Sequence, residues 1–188
     1  MSQESEIKKA ITSIIKAIGD DPEREGLLDT PQRVAEMYTE LFSGMNQDPR
    51  KELLVDFEEG HREMVILRDI PFYSMCEHHL LPFFGVAHLG YVPNTKGRVV
   101  GASKLARVVE ILARRPQIQE RMTSQIADAI YNGIHPDGVG IVVQAEHLCM
   151  VMRGIKKPGS SFVTSALRGT FRSQSKTRAE FMSLLGTK

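Results

Sequence analysis

The order in which two periodicities alternate constrains this chain most. Residues 63–69 and 83–92 are rich in β-branched and aromatic side chains and are bounded by Pro and Gly, which is the signature of strands. The same character returns over residues 138–151 and 162–171. Between these pairs lie two helical patterns. The first opens at Gly101-Ala102-Ser103, with Ser103 as the expected cap, and runs to Arg114. The second starts at Pro116 and sets Ile118, Met122, Ile126, Ala129 and Ile130 on one face before Gly133. Each strand pair can close as an antiparallel hairpin, and the helix pair needs a sheet to cover. An α+β fold follows, with an antiparallel four-stranded sheet and a helix pair between the hairpins. Such a sheet leaves two edges exposed, and edge pairing with other copies of the chain would remove them, so an oligomer is expected.

Helices precede this unit. Ile7, Ile11, Ile14, Ile15 and Ile18 share one helical face, and Gly19 supplies the stop. Thr30-Pro31 resembles an N-cap followed by proline, ahead of a face made by Val34, Met37, Tyr38, Leu41 and Phe42. The expected division is a helical region over 1–60 and a sheet domain over 61–188, the latter ending in a short helix over 175–185.

Bulk properties narrow the function classes. Apolar residues make up 41% of the 188 residues, charged residues 25%, and the net charge is +1. No global field draws the chain to nucleic acid or to an anionic membrane, so neither is an expected partner and any anion site is a local cluster. No run approaches the roughly 20 apolar residues of a membrane span. The start, Met1-Ser2-Gln3-Glu4-Ser5-Glu6, is polar and acidic, unlike a secretory signal. A cytoplasmic location is expected. There, the two cysteines are better explained as ligands, catalysts or core residues than as a disulfide.

Those cysteines each have histidine for company. Cys76 and His79 are three apart, so one turn can deliver a sulfur and an imidazole to one ion. His147 and Cys149 are two apart in an expected strand, where alternation puts them on one face. Zinc suits this mixed donor set. Cys76, His79 and Cys149 make a three-ligand site with a position left for water, freeing His78 and His147 for proton transfer. Spacing alone leaves open a structural Cys-Cys-His-His site, and also plain buried thiols. His61, His88 and His135 lack such company and read as surface or core residues.

A second cluster carries charge. Ser103, Lys104 and Arg107 begin a helix, with the two cations one turn apart on the same side. Helix amides and cations together suit a polyphosphate. Cations there also oppose the helix dipole, which an anion would relieve. Arg153, just past the His147 region, could add a third cation. A merely solvated face remains the alternative. Gln119-Glu120 opens the following helix; a carboxylate there is explained by the dipole, or by its ability to accept two hydrogen bonds from a guanine edge.

Whole runs add specificity. Cys76-Glu77-His78-His79, Gly101-Ala102-Ser103-Lys104-Leu105-Ala106-Arg107, Arg115-Pro116-Gln117-Ile118-Gln119-Glu120-Arg121 and Glu146-His147-Leu148-Cys149-Met150 with Arg153 resemble GTP cyclohydrolase I in order and separation. So do Thr30-Pro31-Gln32-Arg33-Val34-Ala35-Glu36-Met37-Tyr38, Thr164-Ser165-Ala166-Leu167-Arg168-Gly169 and Thr177-Arg178-Ala179-Glu180-Phe181. The resemblance covers nearly the whole chain. It implies the tunnelling fold, a homodecamer of two pentamers, and active sites at subunit junctions. It implies hydrolysis of GTP to 7,8-dihydroneopterin triphosphate and formate, the first step of pterin and folate biosynthesis. The implied zinc ligands are Cys76, His79 and Cys149. Glu120 and Gln119 would hold guanine, and Ser103, Lys104, Arg107, Arg153 and Arg33 the ribose and triphosphate. His147 and His78 would move protons. Two alternatives stand beside it: a non-catalytic nucleotide-binding regulator with a structural zinc, and another pterin or purine enzyme of the same fold.

Overall fold

The helical start forms as its periodicity requires. In the computed structural model, which describes residues 2–186, the chain divides into two compact units, Met1–Ser43 and Gly44–Lys188. Met1, Thr187 and Lys188, which belong to the expected 1–60 and 61–188 regions, lie outside the described residues. In the first unit, α1 (Gln3–Ala17) packs against α2 (Thr30–Leu41). The Ser2 hydroxyl accepts from the Ser5 N–H and caps α1. Gly19, at φ +91°, takes the left-handed conformation that ends it. Ile15 and Ala35 are buried, while Ile14 and Ile18 stay exposed. Asp29, not Thr30, occupies the N-cap of α2, and Thr30 is its first residue.

The second unit opens with a 3₁₀ turn (Pro49–Leu53) and the short β1 (Asp56–Glu58). Then come β2 (Val65–Cys76), β3 (Pro82–Val92), β4 (Arg98–Val100) and α3 (Ala102–Ala113). The two-residue β5 (Pro116–Gln117) leads to α4 (Gln119–Ile134) and β6 (Gly138–His147). One turn of helix, α5 (Leu148–Val151), precedes β7 (Phe162–Gly169), and α6 (Thr170–Ser173) and α7 (Ser175–Leu185) close the described chain. The main sheet has the order β5-β2-β3-β6-β7. Its four long strands are antiparallel neighbours, with β5 added in parallel at the end of β2. β1 and β4 make a separate antiparallel pair.

Alternation builds the core. Phe83, Ala87, Leu89 and Tyr91 on β3 and Val139, Ile141 and Val143 on β6 are fully buried toward the helices. Leu105, Val108 and Leu112 of α3 and Met122, Ile126 and Ile130 of α4 meet them. Each Val, Leu, Ile, Phe or Met side chain among them contributes about 1.5–3 kcal/mol by leaving water. On the other sheet face Gly90 pairs with Gly140 across β3 and β6, and the T-shaped pair Phe171–Phe181 sits over them. A Cβ on Gly140 would lie 2.5 Å from Phe171 Cδ1, so this close approach requires glycine.

Three local expectations give way to tertiary context. β2 runs on to Cys76, past Asp69 and Pro71, which are poor strand residues. Its ladder shifts register between Leu67 and Ile70, where Asp69 takes φ +55° and its N–H is accepted by His88 Nδ1 at 3.1 Å. Pro116 starts an edge strand instead of a helix, and α4 begins three residues later. Gly101, not Ser103, is the N-cap of α3.

Candidate metal centre and nucleotide cleft

A hydrogen-bonded turn delivers two of the three clustered donors. Cys76 is the last residue of β2; its N–H donates to Leu81 O at 2.9 Å, and Leu80 N–H returns to Cys76 O at 2.8 Å. His79 sits inside that turn. The Glu77 N–H donates to Gln117 O at 3.0 Å, and the Glu77 carboxylate pairs with the Arg121 guanidinium, which holds that carboxyl below the usual range. The turn is thereby tied to β5 and α4. The third donor comes from far along the chain. β6 stops at His147, and the single turn of α5 swings Cys149 back until its Sγ is 3.9 Å from that of Cys76. Alternation in a strand, the expected route for His147 and Cys149, is therefore not how Cys149 arrives. One donor atom each of Cys76, His79 and Cys149 lies within 4.8 Å of the others.

This donor set fits a metal ion. Two thiolates bound at about 2.3 Å to one tetrahedral zinc lie about 3.8 Å apart, close to the spacing found. Burial, and then the neighbouring Cys76, push the Cys149 thiol up. Two sulfurs so placed hold negative charge poorly unless a cation joins them.

His147 is held by two aromatic rings and an amide. Its ring stacks on Phe83 at 4.5 Å and 6° and meets the edge of Phe162 at 5.6 Å. Its Nε2 is 2.8 Å from Gln119 Oε1. Gln119 is 1% exposed, and its amide nitrogen donates to Val143 O, Phe162 O and Thr164 Oγ1 at 3.0–3.1 Å. Two carbonyls around that nitrogen fix which way the amide faces, so Oε1 accepts from His147. The neutral imidazole then carries its proton on Nε2, and Nδ1 is the nitrogen left to gain or lose one. Burial pushes the His147 pKa below the ordinary histidine value, with Glu120 pulling the other way.

These groups open on a cleft of about 570 Å³. Glu120, exposed in the first turn of α4, lines it together with His78, Arg153 and the apolar Ile118 and Ile155. Arg153 Nη1 donates to His79 Nε2 at 2.9 Å. The cleft thus combines a three-donor group, a confined imidazole, a free carboxylate and a guanidinium.

Known proteins carry similar sequences. The sequence profile of the family described as GTP cyclohydrolase I matches residues 7–186. The chain belongs to the GTP cyclohydrolase I family. GTP cyclohydrolase 1 of Dehalococcoides mccartyi is 68% identical over 185 residues, covering 98% of both chains. That of Thermoanaerobacter pseudethanolicus is 58% identical over the full length of both. That of Thermobifida fusca is also 58% identical, over 95% of this chain and 86% of its own. The chain is an α+β enzyme of this cyclohydrolase family, and its four antiparallel strands with a helix pair between the hairpins are the layout the sequence led one to expect.

Against that family's motifs, the residues fall into two groups. Cys76, His78, His79 and Gln119 line the cleft with Glu120, His147, Cys149 and Arg153. Ser103, Lys104 and Arg107 do not. They begin α3, where Lys104 and Arg107 both face Glu52. Arg33 belongs to the first unit and pairs with Asp29. The side chain of Gln119 is occupied by protein groups. Phe83, Thr164 and the Glu77–Arg121 pair escaped the sequence reasoning, because stacking and long-range hydrogen bonds leave no spacing to read. No helix among the described residues is long and apolar enough to cross a membrane.

Proposed function

We propose that this chain hydrolyses GTP to 7,8-dihydroneopterin triphosphate and formate, at the first step of pterin and folate biosynthesis. The observation that carries the proposal is the convergence of Cys76, His79 and Cys149 beside His147 and Glu120 in one cleft. Cys76, His79 and Cys149 would hold zinc, which supplies the Lewis acidity that activates water at neutral pH. The Glu120 carboxylate accepts from the guanine ring N–H and exocyclic amine and so aims C8 at the donor cluster. His147 passes a proton between its Nδ1 and guanine N7, and its lowered pKa makes the protonated ring a stronger acid toward N7. Gln119 serves through His147, its amide being spent on that ring and on the sheet. His78, exposed at the cleft, assists the ribose-opening steps. A three-donor group with no fourth His or Cys among the described residues disfavours a purely structural zinc.

The triphosphate ligands point to a multi-chain site. Ser103, Lys104 and Arg107 follow Val100, whose N–H donates to Tyr91 Oη at 3.2 Å. The metal cluster lies at the other end of β3, where Phe83 stacks on His147. The eight residue steps from Phe83 to Tyr91 span roughly 27 Å of strand, more than one nucleotide bridges. A second copy presenting its α3 to the cleft would complete the site, with Arg153 as a further cation. The open edge of β7, the last strand of the sheet, offers the pairing surface for such an oligomer, a decamer of two pentamers. Both thiols are free, which fits the reducing cytoplasm.

The test is purified, zinc-loaded protein with GTP, following formate and, after oxidation, pterin fluorescence, with and without chelator. Both products, lost on chelation, are expected. Formate alone would mean a hydrolase that stops after ring opening, and neither product would refute the proposal.

A further inference from the structure

The cations at the start of α3 already have an anion. Glu52 Oε2 lies 3.4 Å from Lys104 Nζ and 3.4 Å from Arg107 Nη1. The carboxylate sits on the 3₁₀ turn Pro49–Leu53, which Leu53, 2% exposed, anchors in the core. The anchored turn therefore fixes where the Glu52 side chain leaves the backbone. Its contacts to the cations are long compared with the 2.7–2.9 Å of a strong charge-assisted bond, and the Arg107 side chain remains 59% exposed. One oxygen thus faces two cations at a distance that leaves both able to turn to another anion.

We infer that Glu52 is a displaceable counter-anion that weakens the grip of Lys104 and Arg107 on the triphosphate. The inference rests on the proposed role of those two residues as triphosphate ligands. The reason lies in the reaction: substrate and product carry the same triphosphate, so binding that is uniform along the path lowers KM without raising kcat. Excess grip there would only hold the product. A fixed carboxylate competing for the same two cations lowers that grip while keeping the cations gathered at one place.

Inorganic tripolyphosphate is the probe, read by calorimetric binding to the zinc-loaded oligomer and by competition against GTP. Glu52→Gln, which keeps shape and removes charge, should bind tripolyphosphate about 5- to 10-fold tighter, the order expected when one unit charge beside a polyanion is removed near a surface. The gain should shrink as ionic strength rises above about 0.1 M. Glu52→Met, of similar reach, guards against an effect peculiar to the amide and should shift affinity in the same direction. Lys104→Met should lose most of the binding. If it does, and both Glu52 variants bind no tighter than the parent, the inference fails and the triphosphate role stands. If Lys104→Met binds as the parent does, the triphosphate role itself falls, and the inference with it.

Discussion

Replacing Gln119 with Met tests the imidazole clamp. The substitution keeps the length of the side chain and deletes four hydrogen bonds at a residue 1% exposed. Thr164 keeps its bond to Thr123 at 2.7 Å. The Val143 and Phe162 carbonyls have second lone pairs and tolerate the loss better than a donor would. The uncompensated groups are then the His147 Nε2–H and about one carbonyl. At about 1–3 kcal/mol for each buried group left unpaired, the loss of stability should be about 2–6 kcal/mol. Activity should fall through kcat. The stack on Phe83 still fixes the ring plane, but nothing fixes the tautomer, so the low end of general acid–base contributions applies, about 100-fold. The KM for GTP should move far less, because Glu120 and the cations are untouched. Urea unfolding at one fixed protein concentration, needed because assembly adds to apparent stability, reads the first quantity, and formate release the second. A loss under about 1 kcal/mol would refute the buried network, and a folded variant with parental kcat would refute the clamp on His147.

Three further outcomes are expected. Cys149→Ser should lower the zinc retained after dialysis and abolish formate release together; full turnover by metal-free protein would sink the metal role. Stability should fall as pH drops below the ordinary histidine value of 6.5, because burial lowers the folded pKa of His88 and its Nδ1 must stay unprotonated to accept from Asp69. The unfolded chain then binds the extra proton, so stability is lost on the acid side. His88→Asn, whose amide oxygen can also accept, should flatten the difference between urea midpoints at pH 7.5 and 5.5; an unchanged difference would reject His88 as its source. Gly140→Ala should cost about 1–3 kcal/mol by driving a methyl against Phe171, and a neutral result would mean that the Phe171–Phe181 pair is free to shift.

Legibility in the sequence followed range. The helix pair and the long strands were readable because each side of a helix or strand repeats with a short period, and burial selects apolar side chains at that period. The hairpin β2–β3 and its turn kept Cys76 and His79 close through three residues of chain, so their pairing needed no fold. The start of β5 at Pro116 was not readable, since a proline opening a helix and a proline on a sheet edge carry the same local signal. Nor was the extension of β2 past Pro71: the ladder gives Pro71 a partner on one side only, Val86, and an edge position tolerates its missing N–H.

The sequence by itself determined the order of the long helices and strands, the family and the chemical kinds of side chain available, because these depend on composition and on neighbours along the chain. Only the tertiary structure decided which of them meet. Cys149 reaches Cys76 across 73 residues because β6 lies beside β3 and α5 turns back at its end. Gln119 reaches His147 because α4 crosses β6 and β7. The same packing sets Lys104 and Arg107 near the far end of β3, beside Glu52 and apart from the cleft. Such meetings are fixed by which apolar faces bury together, a long-range free-energy balance that no short stretch of residues encodes.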